Sequence, residues 1–68
     1  MRKYMTLQKV FVGTKEYRVI REEGVHQWNV VSVEYEGGQE LLVQEKSCMV
    51  ESDEAAVDMF WQHILLEE

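Results

Sequence analysis

NVVSVEYEGGQELLV, residues 29–43, holds two runs rich in Val, Leu and Tyr on either side of a glycine pair. β-Branched and aromatic side chains suit a pleated sheet, and consecutive glycines supply the positive φ angles of a two-residue hairpin. Pairing across Gly37-Gly38 sets Val33 opposite Leu42 and Ser32 opposite Val43. The strand before the turn extends back to residue 26, giving strands over 26–36 and 39–45. Upstream, Glu22-Glu23-Gly24 and Gly13-Thr14 are further turn signals, and they bracket strands over 5–12 and 16–21. Short connections make sequential strands antiparallel neighbours, so a four-stranded meander is expected.

After the fourth strand the period changes. Ser52 has the chemistry of an N-cap, and Asp53 and Glu54 follow where the helix dipole favours acids. Val57, Phe60, Trp61, Ile64 and Leu65 then recur at helical spacing as one apolar stripe, with Ala55, Met59 and Leu66 on the far side. The expected architecture is α+β, order ββββα: a four-stranded antiparallel meander with one C-terminal α-helix packed on one face, a single compact domain over 1–68.

Register assigns the faces. Setting Val19 opposite Trp28 and Tyr17 opposite Val30 collects Tyr17, Val19, Trp28, Val30, Leu41 and Val43 on one side, with Val10 beside them. Ile20, Val31, Val33, Tyr35 and Leu42 fall on the other, joined by Leu7 and Phe11. One helix covers one side only, yet both sides read apolar, and Val30-Val31 breaks strict alternation. A bulge or strong curling would seal part of the second face; the reading favoured here is that a second copy covers it. Ile20, Val31, Val33, Tyr35 and Leu42 are then the expected homodimer interface, a supplement that a 68-residue core needs.

The composition points away from catalysis. Cys48 is the one cysteine, so no internal disulfide and no structural zinc set can form, and a half-buried thiol in a reducing compartment is expected. His26 and His63 have no neighbour at metal-ligand spacing, and no glycine-rich loop has phosphate-binding spacing. No cofactor and no metal are expected. Met1-Arg2-Lys3 leads into no apolar run, and no stretch approaches a membrane span, so a cytoplasmic protein without membrane contact is expected.

Charge is unevenly distributed. Residues 1–21 carry six bases and one acid, for +5, while residues 22–68 carry one base and twelve acids, for −11. The halves either compensate each other within one sheet or mark a charged partner. The acidic part suits a protein partner with a basic surface, engaged through Glu34, Glu36, Glu40, Asp53, Glu54, Asp58 and Met59. In size, charge and composition the chain resembles compact phage-encoded inhibitors of host defence proteins, anti-CRISPR proteins among them, which implies a non-catalytic protein-binding module. The alternative uses the basic first hairpin. Lys9, Lys15, Arg18 and Arg21, interleaved with Tyr4, Phe11 and Tyr17, would bind single-stranded nucleic acid, and the ββββα order resembles the dimeric coactivator-type fold that does so. Net −6 opposes that reading. A purely structural homodimerisation domain is the third.

Overall fold

The computed structural model describes residues 3–66. Four strands, β1 (Tyr4–Val12), β2 (Lys15–Glu22), β3 (Trp28–Glu36) and β4 (Gln39–Cys48), precede one helix, α1 (Asp53–Leu66). The sheet order is β1-β2-β3-β4, every pair antiparallel, and α1 packs on one face, the expected ββββα meander. Two layers make a slab, with Cα extents of 35 × 34 × 14 Å.

The turns follow from their glycines. Gly37 and Gly38 have φ of 60° and 81°, the double left-handed pattern of a type I′ turn, and Glu36 pairs with Gln39 across them. Val33 meets Leu42 and Ser32 meets Val43, the register read from the sequence. The β2–β3 pairing is offset: Val19 meets Val30 and Tyr17 meets Ser32, two residues from the expected positions. The cause lies in the connection. Val25 closes a turn onto Glu22 (N···O 3.0 Å), but residues 25–27 stay outside the ladder and pairing resumes at Trp28. A two-residue slip preserves the faces because side chains alternate with period two.

The core lies between α1 and the first three strands. Tyr17, Val19, Trp28 and Val30 meet Ala56, Phe60 and Ile64 of the helix. Ser52 caps it, its Oγ accepting from the Ala55 amide at 3.1 Å. The buried stripe is Ala56-Phe60-Ile64, with Val57 and Trp61 half-buried on one flank and Met59 on the other. Compared with the expected stripe the helix is therefore rotated. Leu65 is exposed, and Met59, expected on the outer side, packs against the core. Ala56, small and fully buried, occupies the position of close approach that hydrophobicity counting passed over.

Two further expectations change. A bulge between Thr6 and Gln8 turns Leu7 into the core rather than onto the second face. Leu41 and Val43 do lie on the helix side, yet both stay exposed, because every residue of β4 from Gln39 to Ser47 is exposed. The suspected bulge at Val30-Val31 exists, with the extra residue, Glu45, on β4.

Candidate functional site

On the sheet face away from α1, Ile20, Val31 and Val33 are only 5, 4 and 5% exposed, although among the described residues no second layer lies over them. Ile20 and Val31 line a shallow groove with Tyr4, Asn29, Leu42 and Gln44, and a polar strap lies over Val33. Arg18 of β2 reaches past β3 to β4, donating from Nη2 to Glu40 Oε2 at 2.9 Å and from Nη1 to Oε1 at 3.3 Å. Its Nε donates to Glu16 Oε2 at 2.5 Å. The Tyr35 hydroxyl closes the network, 3.3 Å from Glu16 Oε1 and 3.2 Å from Glu40 Oε2. Glu16 pairs with Val33 and Glu40 with Tyr35 in the ladder, so this strap crosses the sheet over Val33. Glu16 ends up 4% exposed. The sequence offered curling or a second chain to seal this face; an ion-pair strap covers the part of it nearest the β3–β4 turn.

This arrangement redistributes the expected site residues. Of the five assigned to a dimer interface, Ile20, Val31 and Val33 have almost no surface left to offer, while Tyr35 and Leu42 remain open. The seven acidic-site residues do not form one surface. Glu34, Glu36 and Glu40 sit at the Gly37-Gly38 end of the sheet. Asp53, Glu54 and Asp58 begin α1 beside Trp28, eight residues along β3, or about 26 Å away. Two of the six acids are already engaged: Glu40 by Arg18, and Asp53 by Trp28 Nε1 at 2.9 Å and Arg21 Nε at 3.0 Å.

The bases are divided too. Lys9 and Arg18 are ladder partners on the strap face. Arg21 is held at the start of α1, its guanidinium 5.9 Å from the Trp28 ring centroid, and Lys15 sits 5.1 Å from that of Tyr17. Tyr17 itself is buried in the helix-side core. The four bases and their aromatic neighbours therefore share no single platform. The pairs Arg18–Glu40 and Arg21–Asp53 each join the basic first half of the chain to the acidic second half, so part of the charge asymmetry is compensated within the fold.

Titration follows the same contacts. Glu40 is held below its ordinary value of 4.5, chiefly by the hydrogen bonds from Arg18, and Asp53 below 3.8, chiefly by the Trp28 indole and then Arg21. Carboxyls with lowered folded pKa values contribute stability that is complete above their ordinary values and lost as pH falls through the lowered ones. The urea midpoint should therefore drop progressively below about pH 4.5, and Glu40→Gln with Asp53→Asn should make that decline shallower. An unchanged acid limb in the double variant would remove these two groups as its cause. Burial pushes the Cys48 thiol up, and its Sγ lies 3.6 Å from the Trp28 carbonyl oxygen, an environment that keeps it protonated.

Open apolar surface occurs at Phe11 on the strap face, at Met49 and the last turn of α1, and at the end of the β3–β4 hairpin. Tyr35 is 63% exposed between exposed Glu34 and Glu36, and Leu41, Leu42 and Val43 follow on β4, all exposed. Sequence reading found the acids of this hairpin. It missed that Tyr35 is tethered, because its partner Glu16 lies nineteen residues away. No helix here is long and apolar enough to cross a membrane, and no group of three or more His, Cys, Asp and Glu that could hold a metal ion occurs among the described residues. Comparison with known proteins returns no matching family model, no matching curated protein and no matching solved structure.

Proposed function

We propose that the chain is a non-catalytic protein-binding module that engages a basic protein surface through the tip of the β3–β4 hairpin. The observation that carries this reading is Tyr35: a largely exposed ring whose hydroxyl is fixed by Glu16 and Glu40 and whose chain neighbours are two exposed carboxylates. A ring already held in place loses little freedom on binding, and tyrosines in such settings are common binding hot spots. Glu34 and Glu36 project from the opposite face of β3 at the same tip, so their field would steer a basic partner to this end of the sheet while Tyr35 makes the contact on the strap face. This is the action of an inhibitor that occupies a surface, and it requires no reacting group.

Immobilised protein should retain a basic partner from host extract at low salt and release it as salt rises. Glu34→Lys with Glu36→Lys should slow association and flatten the salt dependence. Tyr35→Ala should cost about 2 kcal/mol, or about thirtyfold in affinity. Retention indifferent to all three substitutions would remove the hairpin tip from the reading. A labelled single-stranded oligonucleotide serves as the competing probe; binding lost on Lys9→Ala and Lys15→Ala would favour nucleic acid instead.

A further inference from the structure

The fourth strand occupies an edge position but has the pattern of an interior strand. Leu41 and Val43 are open on the helix side and Leu42 on the strap side, so apolar surface is presented on both faces of the sheet at its rim. The other edge is defended. β1 is bulged at Leu7, carries Lys9, and has Leu7, Val10 and Val12 packed against the core. Over residues 39–44, β4 has no proline, no bulge and no base, and its single charge, Glu40, is turned to Arg18. Its irregularity begins only at Glu45.

The hydrogen-bond phase of this edge follows from the register. A two-residue hairpin closes with a hydrogen-bonded pair, here Glu36 and Gln39, and pair types then alternate along the ladder. Glu34–Leu41 and Ser32–Val43 are then hydrogen-bonded pairs; Tyr35–Glu40, Val33–Leu42 and Val31–Gln44 are not. Glu40, Leu42 and Gln44 thus direct their N–H and C=O groups away from β3, out of the sheet edge.

We infer that this edge pairs with the same edge of a second copy, antiparallel about a two-fold axis at Leu42, making one continuous eight-stranded sheet. In that register Leu42 faces its own copy, Leu41 faces Val43, and Glu40 faces Gln44. Apolar residues meet on both sides of the sheet and no carboxylate opposes another. All three outward residues pair, giving roughly six backbone hydrogen bonds. Moving the axis to Leu41 sets Glu40 against Leu42 and Gln39 against Val43; moving it to Val43 sets Leu42 against Gln44 and Leu41 against the bulged Glu45. Each loses the apolar match. Self-complementarity about one axis is what a closed two-fold dimer requires, and it selects a second copy over an unrelated strand.

Light scattering behind size-exclusion chromatography should report about twice the monomer mass of 8.1 kDa at micromolar concentration. Leu42→Lys puts like charges on the axis and should return the monomer. Gln44→Pro removes an outward N–H without touching the β3–β4 ladder and should do the same, with the circular dichroism spectrum showing both variants folded. Two substitutions test the register itself: Gln44→Lys, facing Glu40, should tighten the dimer about fivefold, and Gln44→Glu should weaken it about as much. A monomer throughout the micromolar range overturns the inference. So does a dimer that survives both Leu42→Lys and Gln44→Pro, or one that responds with the same sign to both charges at Gln44. None of these results depends on whether the hairpin tip binds a basic partner.

Discussion

Phe60→Ala should leave the protein largely unfolded near physiological temperature. Phe60 is 0% exposed at the centre of the Ala56-Phe60-Ile64 stripe, and its ring lies 5.4 Å from that of Trp61, centroid to centroid. Removing a buried phenylalanine costs about 3–5 kcal/mol through lost transfer energy and the cavity left behind. A chain of this length is stabilised by roughly 3–10 kcal/mol in total, from about 0.05–0.15 kcal/mol per residue. One substitution thus consumes a large share of the whole. A thermal melt followed by circular dichroism should show a midpoint lower by at least about 12 °C, or no cooperative transition. Leu66→Ala, on the exposed end of the same helix, should stay within about 0.5 kcal/mol of the parent. Equal effects at the two positions would mean that α1 does not supply the core as described.

Arg18→Met should be the most damaging change on the opposite face, although Met preserves much of the aliphatic bulk. It leaves Glu16 enclosed beneath Tyr35 without its guanidinium partner and frees Glu40 from the strap. Breaking a buried pair on one side costs about 3–5 kcal/mol; with an open face that lets water in, about 2–3 kcal/mol is expected in urea titration. Adding Glu16→Gln should recover most of the loss, because a neutral amide needs no counter-charge. A double variant no more stable than Arg18→Met alone would show that the strap acts through packing rather than charge.

The sequence carried the fold because the fold is local. Glycines name the turns, alternation survives a two-residue slip, and Ser52 marks the helix start. The helix rotation was harder to read. Hydrophobicity weights Val57 and Trp61 above Ala56, whereas close packing against a sheet favours the small residue at the point of contact. The site was harder still. Arg18, Glu40, Arg21 and Asp53 read as binding residues because charge on a linear chain looks available. Their partners lie 22 and 32 residues away, and only folding brings them together. Leu41 and Val43 erred in the other direction: their pattern reads as core, and their place at the sheet rim leaves them open.

The meander order bears on how the chain reaches this structure. Every strand neighbour is also a sequence neighbour, and two of the three hairpin connections are two residues long, so little loop entropy is lost before the ladder forms. With no proline anywhere, no slow peptide isomerisation holds up the pathway. The sheet can therefore zip from its turns, while the docking of α1 on β1 and β2 joins the two ends of the chain. Zipping from adjacent turns limits the time for which the apolar rim of β4 is displayed beside an unfinished core, the interval in which edge strands find wrong partners.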